Sequence, residues 1–140
     1  EVLLNPTRIY VNPLIDLIKE CREGTGPCEI SDIKAMAHIT GGGLSNLLRL
    51  HDDFGWHIDN PLPVLPEFRW LAENGSVSNR EMHRTFNMGM GMTIVISKDK
   101  SPSVEKWLNE KLPGTRTIGY VHDKKREVTH ADPEVIFSHY

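Results

Sequence analysis

The segment Ala37-His38-Ile39-Thr40-Gly41-Gly42-Gly43-Leu44 holds the residues best suited to chemistry. Three successive glycines remove every Cβ from a turn that leads into Leu44 to Leu50, so backbone N–H groups can approach an anion closely. A phosphate cradle fits this pattern, and so does a tight turn with a structural role alone. The run is neither G-x-G-x-x-G nor G-x-x-x-x-G-K-[ST], and it lacks the lysine of a nucleotide-binding loop. His38 stands three residues before the glycines, where it can donate to an anion, act as an acid or base, or pack as a core histidine. A second segment, Arg84-Thr85-Phe86-Asn87-Met88-Gly89-Met90-Gly91-Met92, offers Gly89 and Gly91 for close approach of a ligand or another element. Asn87 supplies amide donors and a carbonyl acceptor, or caps local backbone. The alternating Met88, Met90 and Met92 read as core filler rather than metal ligands.

The elements that position these segments follow from periodicity and punctuation. Asn12-Pro13 reads as an N-cap followed by a first-position proline, with Leu14, Leu17, Ile18 and Cys21 at helical spacing up to Glu23. Ile33 to Thr40 reads as a helix running into a strand, and Leu44 to Leu50 as a helix. Trp56 to Asp59 is a brief strand. Pro66 opens a helix through Phe68, Trp70 and Leu71 that Gly75 closes. Ser78-Asn79-Arg80-Glu81 has capping-box form and predicts a short helix to Arg84. Met92 to Ile96 is β-branched and reads as a buried strand. Ser101-Pro102 caps a helix with Val104, Trp107 and Leu108 on its buried face. Strands at Thr115 to Val121, Glu127 to His130 and Val135 to Phe137 are close enough to pair as hairpins, and Asp123-Lys124-Lys125-Arg126 makes a solvated hairpin tip. Helices mixed with such strands predict an α+β domain with a mixed sheet.

Composition excludes several functions. A chain of 140 residues fits one domain with one core. Sixteen Lys and Arg against nineteen Asp and Glu, a net charge of −3, is too mixed for a general polyanion surface, so nucleic acid is not an expected partner. No apolar run approaches the roughly 18 residues of a membrane span. Cys21 and Cys28 have no metal-ligand spacing and read as free cytosolic thiols rather than a disulfide. Asp52 and Asp53 read as a solvated end, and the scattered His51, His122, His130 and His139 do not make a metal site. Glu1 is expected to be an internal point of a longer protein.

Pro6-Thr7-Arg8-Ile9-Tyr10-Val11, Ala37 to Leu44 and Arg84 to Met92, in this order and approximate spacing, resemble the C-terminal half of the aminoimidazole ribonucleotide synthetase family, the phosphoribosylformylglycinamidine cyclo-ligases. The resemblance is specific from about Leu4 to Ser97 and generic beyond. It implies a three-layer α/β/α domain with partly ferredoxin-like topology, occupying residues 1–140 as the substrate-side portion of a two-domain enzyme. An ATP-binding N-terminal half would pack against it, and two chains would join through those halves as a cytoplasmic homodimer.

The family's reaction closes formylglycinamidine ribonucleotide to aminoimidazole ribonucleotide in purine synthesis, with ATP and Mg²⁺. The resemblance makes His38 the catalytic candidate and Thr40, Gly41, Gly42, Gly43, Asn87 and Gly89 the substrate-binding candidates. The glycines would hold a phosphate, while His38, Thr40 and Asn87 would orient polar groups around the closing ring. No acidic Gly-rich ATP segment stands in this chain, so ATP and Mg²⁺ are expected on the N-terminal half. Two other readings stay open: a related ATP-using enzyme of the selenophosphate synthetase or formylglycinamidine ribonucleotide synthetase type, and a noncatalytic docking domain.

Overall fold

The computed structural model describes residues 6–140. Its elements are α1 (Val11–Glu23), β1 (Ile33–His38), a 3₁₀ helix (Gly43–Arg49), β2 (Gly55–Ile58), α2 (Pro66–Gly75), α3 (Asn79–Thr85), β3 (Met92–Ile96), α4 (Ser101–Lys111), β4 (Tyr120–His122), β5 (Val128–His130) and β6 (Ile136–Phe137). The α+β class with a mixed sheet therefore holds. Packing divides the described residues into two compact units, one made of Ala37–Thr93 with Ile118–Tyr140, the other of residues 6–36 with Ile94–Thr117. The length argument for a single core does not foresee this division.

In the second unit, the helical spacing of α1 and α4 joins Leu17 and Cys21 to Val104 and Leu108, with Leu14, Ile33, Ile94 and Trp107 packed around them. Trp107 keeps its indole N–H satisfied by donating to Glu20 Oε2 at 2.8 Å. Helix α1 starts at Val11 with Tyr10 as its cap, so Pro13 lies at the third helical position rather than the first. It still falls in the first turn, where a missing N–H costs no helical bond. Ser101 is likewise the first residue of α4 rather than its cap, and its hydroxyl bonds Thr117 Oγ1 at 2.8 Å.

The first unit is built on a four-stranded sheet in the order β4-β2-β5-β6. Here the expected hairpin of the last strands gives way. β2 lies between β4 and β5, antiparallel to β4 and parallel to β5, and of the last three strands only β5 and β6 pair with each other, in antiparallel fashion. The 123–127 loop therefore crosses the start of β2 instead of making a tip. Gly55 permits the crossing, since a Cβ there would stand 2.2 Å from Lys125 O and 2.1 Å from the His122 ring. Arg126 is half-buried and donates to Leu48 O at 2.8 Å, which ties the crossing to the 3₁₀ helix. The strand ends are shorter than the sequence predicts: β4 loses 115–119, and of Ile33 to Thr40 only Ile33–His38 is strand, with no helical portion. Alternation along β2 and β5 buries Trp56, Ile58 and Val128 with Phe137 on one side. On the other, His57 Nδ1 and Thr129 Oγ1 bond at 2.7 Å.

His130 at the end of β5 is set in a polar corner of this unit. Its Nδ1 accepts from Asp132 N–H at 3.0 Å, so the neutral ring carries its proton on Nε2, which is buried without a partner. Burial first and then the neighbouring His83 hold its pKa below the ordinary 6.5, against an opposing pull from Asp132, with His57 adding a smaller push in the same direction as His83. The neutral ring's contribution to stability is complete above that ordinary value, declines as the pH drops beneath it, and is gone below the folded-state pKa. Asp132, held below 3.8 first by Glu134 N–H and then by the Asn79 amide, acts only in more acid solution. Thermal stability should accordingly fall as the pH drops below about 6.5, and His130→Gln should flatten that slope. An unchanged slope in the variant would assign the decline to other groups.

Candidate functional site

The glycine turn is organised by a residue the sequence does not advertise. Asn46, 4% exposed within the 3₁₀ helix, donates its Nδ2 to Gly43 O at 2.8 Å and Gly41 O at 3.2 Å, with Thr40 O at 3.4 Å. Ser45 Oγ donates to Gly42 O at 2.6 Å. Carbonyls are thus gathered on the buried side. In a planar trans peptide the N–H points opposite to the C=O, so the N–H groups of Gly41 and Gly42 face away from Asn46. The N–H groups of Gly43 and Ser45 are spent internally, on Thr40 O at 2.9 Å and Gly42 O at 3.2 Å.

The three glycines have different duties. A Cβ on Gly43 would stand 2.0 Å from His83 O, so this residue lets the turn touch the backbone of α3. Gly42 sits at φ 98°, a left-handed conformation that side chains resist, with the Tyr140 ring 3.3 Å from the place of its Cβ. Gly41 has neither constraint, being exposed with open space around it.

Gly41 and Gly42 line a cleft of about 610 Å³ with Ser45, Arg80, Glu81, Arg84, Thr85 and Tyr140. Arg80 and Arg84 come from successive turns of α3, four residues apart and hence on one face. The Ser78 N-cap sets where that face begins, because Ser78 Oγ accepts from Glu81 N–H at 3.3 Å, while the Glu81 carboxylate accepts from Thr85 Oγ1 rather than closing a capping box. A second fastening joins Asn79 Nδ2 to Asp132 Oδ2, while Asn79 O receives His83 Nδ1–H at 2.9 Å. Arg80 lies over the Phe137 ring at 5.4 Å from its centroid. Tyr140 is held by Arg49, whose Nη1 donates to the phenol oxygen at 3.3 Å. Two guanidiniums against one carboxylate, beside N–H groups turned away from Asn46, give this cleft a chemistry suited to an anion.

The candidates read from sequence separate. Gly41 and Gly42 line the cleft, and Gly43 underpins it. His38 is the exposed last residue of β1 and Thr40 is exposed at the start of the turn, but neither is among the cleft's lining residues. Asn87 is occupied locally, its Oδ1 accepting from Gly89 N–H at 3.0 Å. Gly89, at φ 96°, lets the chain pass Pro63, whose carbonyl oxygen would be 2.8 Å from a Cβ. Met88 and Met90 are buried as core. Arg80, Arg84 and Asn46 escaped the sequence reading. The i,i+4 arginines within a capping-box helix were the available signal; Asn46 had none.

Among the described residues, no group of three or more His, Cys, Asp or Glu is arranged to hold a metal ion, and no helix is long and apolar enough to cross a membrane. Comparison with known proteins places residues 1–132 in the family model described as AIR synthase related protein, C-terminal domain. A phosphoribosylformylglycinamidine cyclo-ligase of Methanopyrus kandleri is 36% identical over 132 residues, covering 94% of this chain and 35% of that protein. The protein of the same name from Ligilactobacillus salivarius is 40% identical over 128 residues, 89% of this chain and 34% of its own length. That from Methanocaldococcus jannaschii is 37% identical over 123 residues, 88% and 33%. The chain spans about a third of the length of these curated relatives.

The turn's architecture predicts a graded response to substitution. Asn46→Ala should remove about 1–3 kcal/mol in urea unfolding, since three carbonyls lose their buried donor. Gly43→Ala should cost at least as much, whereas Gly41→Ala should stay within about 0.5 kcal/mol. Equal losses at Gly41 and Gly43 would contradict the separate duties drawn here.

Proposed function

Because this chain belongs to the family of AIR synthase related protein C-terminal domains, we propose that it is the substrate-side portion of an ATP-dependent cyclo-ligase. The enzyme would convert formylglycinamidine ribonucleotide to aminoimidazole ribonucleotide, a ligase step of purine biosynthesis. The observation that carries this reading is the cleft in which Gly41 and Gly42 meet Arg80 and Arg84. A ribonucleotide substrate brings a phosphate monoester to those cations and N–H groups, and Tyr140 offers a ring face beside them.

The reaction needs the formyl amide oxygen phosphorylated by ATP, after which an internal nitrogen attacks that carbon and phosphate leaves. This chain's share is to hold the substrate's charged end still while that geometry is reached. The cleft's donor set does not fit Mg²⁺, because Glu81 is the one carboxylate side chain among its lining residues and it accepts from Thr85 Oγ1, while two arginines line the same cleft. ATP and Mg²⁺ are therefore assigned to the N-terminal portion of the longer protein, which is also the partner for domain packing and homodimer formation. A cytoplasmic setting goes with that role. His38 and Thr40, at the mouth of the turn, and Asn87 with Gly89 remain the candidates for contacts that this further portion of the enzyme would complete, His38 as the acid or base. The relatives named above share the cyclo-ligase name, and no observation favours the selenophosphate synthetase, formylglycinamidine ribonucleotide synthetase or docking readings.

Two measurements test this. The purified chain should fold yet neither hydrolyse ATP nor close the ring; ATP-dependent turnover by the chain alone would refute the division of roles. In the full-length enzyme, Arg84→Ala and Gly41→Leu should each raise KM for the ribonucleotide by about tenfold or more, with KM for ATP within about twofold. Gly41→Leu is the cleaner probe, because it fills the cleft without strain, whereas any side chain at Gly42 disturbs the backbone itself. Normal substrate KM in a folded Gly41→Leu enzyme would exclude this cleft as the phosphate site.

A further inference from the structure

The cyclo-ligase reading leaves unused a pair of thiols in the unit built on α1 and α4. Helix α1 ends at Gly24, and the N–H groups of Gly24, Thr25 and Gly26 all return to Glu20 O. Gly26 then lies so near the helix that a Cβ would be 2.7 Å from Cys21 N. This folds the chain back on the helix end and lays Cys28 Sγ 3.6 Å from Cys21 Sγ, seven positions away in sequence. Ser103 Oγ, on α4, donates to Pro27 O at 2.9 Å and fixes the returning loop from its other side. Both cysteines are free thiols; Cys21 is buried and Cys28 is partly open to solvent.

We propose that Cys21 and Cys28 form a modification site, closed to an intrachain disulfide by exchange with a low-molecular-weight disulfide of the glutathione type. Bonded sulfurs lie about 2.05 Å apart, so the pair must close by about 1.5 Å, a distance that side-chain rotation can supply. Exposure orders the steps. Cys28 Sγ attacks one sulfur of the small disulfide, whose S–S bond breaks, and the first small thiolate leaves with the Cys28 proton. Cys21 Sγ then attacks Cys28 Sγ, forms the protein S–S bond and expels the second small thiolate, which takes up the Cys21 proton. Two protein thiols are oxidised and one small disulfide is reduced to two thiols, so atoms and electrons balance. Burial, the Cys21 hydrogen bond and the charges of Cys21 and Asp32 push the Cys28 thiol up to about 12, with Lys100 opposing. Thiolate is scarce near neutrality, so the first step is slow and quickens about tenfold per pH unit through the mildly alkaline range.

The test incubates the folded chain with graded ratios of oxidised to reduced glutathione and reads intact mass after acid quench. The folded chain should lose two hydrogens, with an equilibrium constant for closure about tenfold above that of the urea-unfolded chain, and its melting temperature should rise on oxidation. Cys21→Ser should stop at a glutathione adduct on Cys28, and Cys28→Ser should stay unmodified while folded. A wild-type chain that stops at the adduct, or that closes no more readily folded than unfolded, would overturn the proposal. So would disulfide-linked dimers in place of the closed monomer.

Discussion

One buried amide sets the geometry on which the cleft depends. Three glycines in a row have no intrinsic preference for a single shape, because each loses more freedom on ordering than any other residue. Asn46 supplies the missing preference by drawing the carbonyls of Thr40, Gly41 and Gly43 to one point. The planar peptide does the rest, sending the N–H groups of Gly41 and Gly42 the other way. The contact of Gly43 with His83 O then brings this turn against α3, whose arginines supply the charge. A polar side chain that touches no ligand thus decides where donors face.

Placing Arg80 and Arg84 on a seven-residue helix would be imprecise if the helix were free to fray. Its first turn is held twice, by the Ser78 cap and by Asn79, which reaches Asp132 with its side chain and receives His83 with its carbonyl. Asp132 also belongs to the β5–β6 connection, where it accepts from Glu134 N–H at 2.9 Å. The cleft's cationic wall is therefore registered to the sheet by hydrogen bonds rather than by apolar contact alone.

The regions of the molecule legible in sequence are those governed by neighbours in the chain. The S-x-x-E signal at Ser78, the β-branched Met92 to Ile96 and the glycine interruption after Thr40 all found their elements, although only the Ser78 half of the expected capping box forms. So did the core role of Met88 and Met90. Distant partners governed the rest. Nothing local says that Gly55–Ile58 will insert between strands more than sixty residues downstream, or that Gly55 is small because a loop must cross it. The Leu44, Leu47 and Leu48 spacing does not distinguish an α-helix from the 3₁₀ helix observed, in which Ser45 and Asn46 are buried with their leucine neighbours. A buried asparagine and a surface one read alike until the carbonyls it serves are seen.

The insertion of β2 between β4 and β5 also bears on how the molecule is made. Every pairing of β2 joins residues 55–58 to residues 120–122 or 128–130, so this sheet has no local nucleus at its centre. Contacts of such sequence separation must close long loops before any bond rewards them, which slows folding. During synthesis, β2 leaves the ribosome well before either flanking strand exists. For that interval Trp56 and Ile58, both buried in the finished sheet, stand on a strand with two open edges. Prolonged translation pauses between these segments would lengthen exposure to aggregation, so the order of synthesis is itself a hazard written into the topology.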